Sequence, residues 1–446
     1  MTPDAFDVVI VGGGASGTLL AFQLLRHRAG PQRLLVVDRA GDFARGVAYR
    51  TTDPVHLLNV PAGRMSAFPD DEEHFLTWLR AQSPGAGPET YAQRRLYGDY
   101  LVELLATAER TAPAGAVLER RQAEVREASL EPGGVRLGLD RGPAVLARQA
   151  VLAIGNFPPA PLPVSAAAAA RVWRSPWPKA ETWPEADDAV LLVGAGLSAV
   201  DLLLSLAERG HRGPLHVLSR HGLLPNAHRT PTSPPLVFPD PPRGALRPLL
   251  RLVRRAAAQT PDWRAAVDGL RPHIQMLWRA LGDAERRRFS RHLRTYWEVH
   301  RHRIAPEVAE RVRGMIDSGQ VRLVAGRPRM LDLVGSRLEA RIRLRGATGE
   351  ERLYVDLAVN CTGPAGHSLH ADALVGVLLR DGLARPGPLG LGLATNLEGA
   401  VLDASGAATG RLWALGPVRR GELWESVAVP DIRVQAADLA ARLAAR

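Results

Sequence analysis

Cysteine is almost missing from this chain. Cys361 is the only one in 446 residues. No internal disulfide can form, and a redox centre built on two thiols is excluded. A lone thiol suits a reducing compartment, so the expectation is a cytoplasmic protein. Lysine is equally scarce, with Lys179 alone, so the net charge of +11 comes almost entirely from arginine. These arginines are scattered along the chain, which argues against a nucleic-acid footprint. Capture of an anionic cofactor is a simpler use for some of them. Long apolar runs are lacking too. No stretch approaches the ~18 residues needed to cross a bilayer, and no membrane partner is expected. The opening Met1-Thr2-Pro3-Asp4 has no basic leader-like region and runs directly into a strand pattern.

What is present is ordinary for a globular protein: 46% hydrophobic and 23% charged residues. At roughly 100–200 residues per domain, the length allows two or three domains.

The main feature is an internal repeat. Val8-Val9-Ile10-Val11 reads as a buried strand, followed by a glycine turn and a helix from Ser16 to about His27. A second strand, Leu34 to Val37, ends at Asp38. The same order returns later. Val190 to Val193 is a strand, Gly194 to Gly196 a turn, Leu197 to Arg209 a helix, and Leu215 to Leu218 a strand. Between the repeats, residues 117–150 read as a small antiparallel meander, Val151 to Ile154 as a buried strand, and 156–188 as a crossover linker. Residues 223–243 are proline-rich loop, and 245–318 carry arginine-rich helical periodicity. Strands return over 321–359, then at Leu412 to Leu415, and Pro430 opens a last helix.

The fold class expected from this is α/β, with two Rossmann-like dinucleotide-binding domains in a glutathione-reductase-like arrangement. Residues 1–160 and 356–446 would form an FAD-binding domain. Residues 186–355 would form an NADPH-binding domain inserted in it, with the helical insertion at about 245–318.

Gly12-Gly13-Gly14-Ala15-Ser16-Gly17 fits G-x-G-x-x-G. Gly12 permits the tight turn, Gly14 the close approach of pyrophosphate, and Gly17 close packing of helix on strand. Ala15 and Ser16 open the helix, whose free N–H groups attract phosphate. Asp38, with Arg39 beside it, is placed to bind ribose hydroxyls. The motif alone does not separate FAD from NAD. Its N-terminal place, ahead of a second unit, favours FAD.

In the repeat, Gly194 and Gly196 keep their positions, Leu197 and Ser198 open the helix, and Ala199 replaces the third glycine. No acidic residue ends the second strand. Ser219 and Arg220 stand there instead, with His221 and His228 nearby. An arginine can pair with a 2′-phosphate that an aspartate would repel, so NADPH is expected over NADH. The alternative is a solvated Arg220.

Gly46-Val47-Ala48-Tyr49, His56-Leu57-Leu58-Asn59-Val60-Pro61-Ala62, Met65-Ser66, Arg95-Leu96-Tyr97-Gly98, Gly194-Ala195-Gly196-Leu197-Ser198, Ser219-Arg220, His300-Arg301-His302-Arg303, Asn360-Cys361-Thr362-Gly363-Pro364, Leu415-Gly416-Pro417 and Trp424-Glu425-Ser426 carry a resemblance. The chain resembles the FAD/NAD(P)-binding protein family typified by YdhS, related to flavin-dependent and N-hydroxylating monooxygenases. The resemblance implies a flavoprotein in which His56 to Met65 lies beside the isoalloxazine ring. Asn59 would be the catalytic polar residue there; its alternative role is to cap the turn before Pro61. Met65, Val125 (through its backbone, at the adenine end), Gly155, Thr362, Gly363, Gly416 and Pro417 would be further cofactor contacts. One departure stands out. Flavin monooxygenases commonly carry a histidine in the linker, where this chain has Ser175-Pro176-Trp177.

The reaction expected is NADPH-linked oxidation, with one atom of O2 passed to a small organic substrate. Two other readings stay open: a flavin dehydrogenase passing electrons to an organic acceptor, which the missing histidine favours, and a low-turnover regulatory flavoprotein. A homodimer is compatible with all three. No metal is expected, since His300 and His302 point to different helix faces. Arg301 and Arg303 read as a solvated face or as substrate or phosphate contacts. Trp263, Trp278, Tyr296 and Trp297 read as core, or as lining above the flavin.

Overall fold

A computed structural model describes residues 4–27, 32–177, 183–364 and 369–445. Strand β1 (Asp4–Val11) leads through the glycine turn into the helix Ala15–His27, then β2 (Gln32–Asp38). After a crossover ending in the helix Arg94–Thr111 come β3 (Ala116–Gln122), β4 (Val125–Glu131), β5 (Gly134–Leu139) and β6 (Val145–Leu152). The chain then builds a second sheet from β7 (Val172–Trp173), β8 (Val190–Val193), β9 (Leu215–Ser219), β10 (Val321–Val334), β11 (Arg337–Leu344), β12 (Glu350–Val355) and β13 (Leu357–Asn360). It returns to the first sheet with β14 (Ala400–Leu402) and β15 (Ala408–Ala414) and ends in the helix Val429–Ala444.

The two sheets share one plan. The first runs β14-β15-β6-β1-β2-β3, with β5 and β4 added beside β6. The second runs β12-β11-β10-β9-β8-β13-β7. The parallel stretch β15-β6-β1-β2-β3 therefore matches β7-β13-β8-β9-β10, strand for strand. This is the expected pair of Rossmann-like units, one inserted in the other.

The meander differs in one place. β3 pairs parallel with β2, from Gln32 against Ala116 to Asp38 against Gln122, so only β4, β5 and β6 are antiparallel. β3 is a sheet edge with alternating exposure, and period two alone cannot tell a parallel edge strand from a hairpin. The predicted strand at 151–154 is the end of β6. That strand meets β5 antiparallel along its start and β15 parallel along its end.

The periodicity over 245–318 resolves into several helices. The last, Pro306–Asp317, packs on Leu197–Glu208 and feeds β10, so it is the crossover helix of the second unit. The helix Ala15–His27 is buried over ten consecutive residues, Ser16 to Leu25. It is apolar on every side because the sheet covers one face and the helices Arg94–Thr111 and Val429–Ala444 cover others.

Candidate dinucleotide sites and the segment between them

Each glycine turn is fixed by contact with its own sheet. The Gly12 N–H donates to Val37 O (2.8 Å), and the Gly194 N–H donates to Leu218 O (2.8 Å). Gly12 has φ +107° and Gly194 φ +116°. A Cβ on Gly12 would lie 2.4 Å from Ala153 O, and one on Gly194 2.2 Å from Cys361 O. A side chain at either place would break the turn and collide with the neighbouring strand end. A Cβ on Gly17 would lie 2.0 Å from Gly12 O, which fixes the packing role expected of it. Its counterpart, Ala199, is fully buried.

Other positions face open space. Nothing lies within 4 Å of a Cβ placed on Gly196, Gly155 or Gly363. Gly155 and Gly363 follow the equivalent strands β6 and β13, with φ +74° and +75°. The space around Gly196 is open, which leaves room for close approach of a pyrophosphate. Gly14 is tighter, with Gly46 Cα at 3.3 Å.

The Asp38 carboxylate accepts from the N–H groups of Gly13 (2.9 Å), Ala40 (2.8 Å) and Gly41 (3.2 Å). It thereby orders the turn; Arg39 is exposed beside it. Since Val37 and Leu218 accept equivalent bonds, Ser219 is the register counterpart of Asp38, and Arg220 is the counterpart of Arg39. Ser219 Oγ accepts from the Gly222 N–H (3.0 Å). Arg220 is exposed and reaches Thr295 Oγ1 (3.4 Å). Crowding by protein, then repulsion from Arg294 and Arg327, lowers its pKa. Burial, then Arg345, Arg220 and Arg327, also lowers the His221 imidazole. Cations gather here with Arg220, which suits an anion.

His228 lies elsewhere. Its Nε2 is 3.1 Å from Asn59 O, its ring is 5.2 Å from that of Tyr91, and burial takes its pKa down to about 4. It therefore holds the Asn59 backbone, while the Asn59 side chain takes no hydrogen bond among the described residues. Met65 is buried in the first core. Val125 starts β4, beside the Ala123 N–H bonded to Asp38 O. Thr362 bonds Asn360 Oδ1 through both its N–H (3.2 Å) and its hydroxyl (2.7 Å). Gly416 has φ +76°, and a Cβ there would lie 2.7 Å from Ser16 Oγ. The Gly416-Pro417 turn thus closes onto the first nucleotide turn, with Gln435 of the last helix accepting the Gly416 N–H (3.3 Å).

The helical insertion docks on the 421–425 segment. Trp278 lies 4.6 Å from Trp424, centroid to centroid, and donates Nε1–H to Gly421 O (2.8 Å). Trp297 donates to the buried Glu425 (3.2 Å). Trp263 packs on His300, and Tyr296 is exposed near His221. Arg303 is buried and Arg301 partly buried rather than solvated, paired with Asp268 and with Glu425 (3.4 Å) respectively. His302 lies 3.4 Å from Glu298, and no cluster of three metal-ligating side chains occurs among the described residues. Cys361 is buried, with its thiol pKa pushed up. No helix among the described residues is long and apolar enough to cross a membrane.

The joint between the units leaves little local signal in the sequence. His56 lies 2.9 Å from Ser205 Oγ, and Arg94 forms a two-pronged pair with Asp201 at 2.6 and 2.9 Å. The only local signal was His56 at the head of the His56–Ala62 motif. Trp177, from the linker, meets the His56 ring edge-on at 5.6 Å.

The family model described as FAD-NAD(P)-binding matches residues 9–157. No curated protein matches the chain. Among solved structures, L-lysine 6-monooxygenase from Pseudomonas syringae is similar at 17% identity and a TM-score of 0.65, over 98% of this chain and 99% of that one. Ornithine hydroxylase from Pseudomonas aeruginosa is similar at 16% and 0.63, over 99% of both chains. Bacillithiol disulfide reductase from Staphylococcus aureus is similar at 12% and 0.59, also over 99% of both. At these identities the likeness establishes the fold, with its two dinucleotide units, along the whole chain.

Proposed function

We propose that this chain is an NADPH-dependent flavin monooxygenase acting on a small organic substrate. The observation that carries the reading is the paired turn geometry. Two equivalent glycine turns sit on equivalent strands, the first ending in Asp38 and the second in Ser219-Arg220 among further arginines. In this reading residues 1–160 and 356–446 bind FAD, and 186–355 bind NADPH. FAD, when bound, would take a hydride from NADPH and deliver electrons to O2.

The chain's own residues would do the placing. The N–H groups after Gly14 and Gly196 would hold the two pyrophosphates. Asp38 would hold the flavin-side ribose, and Arg220 the 2′-phosphate. Asn59, with its side chain unbonded and its carbonyl fixed by His228, would face the reaction. Gly416-Pro417 would border the flavin ring beside Ser16. The likeness to lysine and ornithine hydroxylases supports oxygen transfer, and so does the resemblance to the YdhS-typified family. A thiol-disulfide version of the reductase alternative is closed: Cys361 is the sole cysteine and is buried, so electrons cannot leave through a thiol pair of this chain.

The test is rapid mixing of the NADPH-reduced holoprotein with O2. A transient absorbance unlike either oxidised or reduced flavin supports the proposal. Direct return of the oxidised spectrum turns it toward a reductase. Failure of NADPH to reduce the flavin overturns both.

A further inference from the structure

Residues 53–65 belong to both units at once. Val55 and Leu57 pack into the core of the second unit, while Leu58, Ala62 and Met65 pack into the core of the first. Polar ties run alongside. His56 Nδ1 lies 2.7 Å from Thr51 Oγ1, and its Nε2 lies 2.9 Å from Ser205 Oγ and 3.3 Å from Asp201 O. The Ser205 hydroxyl donates to Asp53 (2.7 Å), which also takes Arg209 (2.9 Å). Ser205 therefore receives the His56 Nε2–H, and Nδ1 receives the Thr51 hydroxyl. Asp53 bonds the serine rather than the histidine, and His56 and Ser205 are buried, so this is no hydrolytic triad. Arg94 fixes the other side: it grips Asp201 with both terminal nitrogens and donates Nε–H to Leu57 O (2.9 Å), and its own N–H is held by His56 O (2.9 Å).

The ties that cross to the second unit end on the helix Leu197–Glu208 or on Arg209 at its C-terminal end, and the Gly194-Gly196 turn leads into that helix. We propose that Asp201 and Ser205 are positioning residues: through Arg94 and His56 they fix residues 53–65, which are anchored in the first unit's core, against the second unit, so the two dinucleotide units keep one relative arrangement throughout turnover. This rests on the reading that the first unit binds FAD and the second NADPH. The physical reason is that a bidentate ion pair this enclosed (side chains 13% and 7% exposed) cannot part during each cycle without stranding two charges away from water. Hydride transfer would then occur in a standing geometry, with no swing of one unit.

Two exposed residues, Val117 on β3 and Val334 on β10, provide label sites, one on each unit. Cys361 is buried, so Val117→Cys with Val334→Cys accepts two spin labels cleanly. The label-to-label distance is measured in the oxidised holoprotein, with NADP+, and after NADPH. A single narrow, unchanging distribution is expected. Ser205→Ala and Asp201→Asn should each broaden it. Each should also slow flavin reduction by about tenfold or more, with little change in NADPH affinity, since a small misplacement acts on rate rather than binding; Asp201→Glu should restore part of the rate. A distance that shifts between the three states overturns the proposal. So does an unchanged distribution and rate in both variants. The distances need no turnover, so a flavin that NADPH cannot reduce would defeat the functional reading alone.

Discussion

Ser219 occupies in the second unit the register position that Asp38 holds in the first, and this one exchange removes a carboxylate from beside the second glycine turn. Arg220 then stands where the first unit has Arg39, with Arg294 and Arg327 close enough to lower its pKa. In the proposed assignment, the choice between NADPH and NADH rests on these two neighbouring residues.

Arg220→Ala should weaken NADPH binding by roughly 10–100-fold, the worth of a charge-assisted bond to phosphate, and leave NADH nearly unchanged. Ser219→Asp should give the same preference by repulsion. Titration of each variant with both nucleotides checks this, and an equal loss for both would refute the 2′-phosphate assignment.

Gly194→Ala and Gly196→Ala should behave oppositely. At Gly194 the added carbon meets Cys361 O at 2.2 Å with φ +116°, so the fold should lose at least about 1–3 kcal/mol from strain alone. At Gly196 the carbon meets nothing within 4 Å, so stability should hold while NADPH affinity falls. Thermal melting and nucleotide titration, run on both variants, separate the two effects.

The sequence made the turns legible because their signals are local: apolar runs, glycine spacing and a strand end lie within thirty residues of each other. It did not show the joint. Arg94 and Asp201 are 107 residues apart, and His56 and Ser205 are 149 apart, so no periodicity connects them. Arg301 and Arg303 read as solvated because arginine on a helix usually is, yet the 421–425 segment and Asp268 enclose them. The one-residue offset between Asp38 and Arg220 emerged only from the strand register.

Acid should expose the His228 tie. Its imidazole is neutral in the fold and titrates at about 4, whereas an unfolded histidine titrates near 6.5. Above about 6.5 both states are neutral and no penalty arises. As pH falls from about 6.5 to 4, the unfolded chain gains a proton that the fold refuses, so stability drops. Five other histidines shift the same way, so the wild-type curve alone is a sum. His228→Gln should flatten part of the decline in that window, read by denaturant midpoints across pH. Parallel curves would mean that His228 is not held neutral.

Trp424→Ala tests how the insertion is fastened. Its ring packs on Trp278 at 4.6 Å and meets Phe289 edge-on at 5.0 Å, and the adjacent Glu425 takes the Trp297 N–H. Removing a buried tryptophan costs about 3–5 kcal/mol when the site cannot collapse. Here the loss falls on one small cluster, formed by Leu246, Ile274, Trp278, Leu281, Leu391 and Trp424. The cores of the two dinucleotide units do not share it. Limited proteolysis should therefore cut first within 246–301, while bound flavin stays with the protein. Global unfolding with early flavin release would show that the insertion and the nucleotide units stand or fall together.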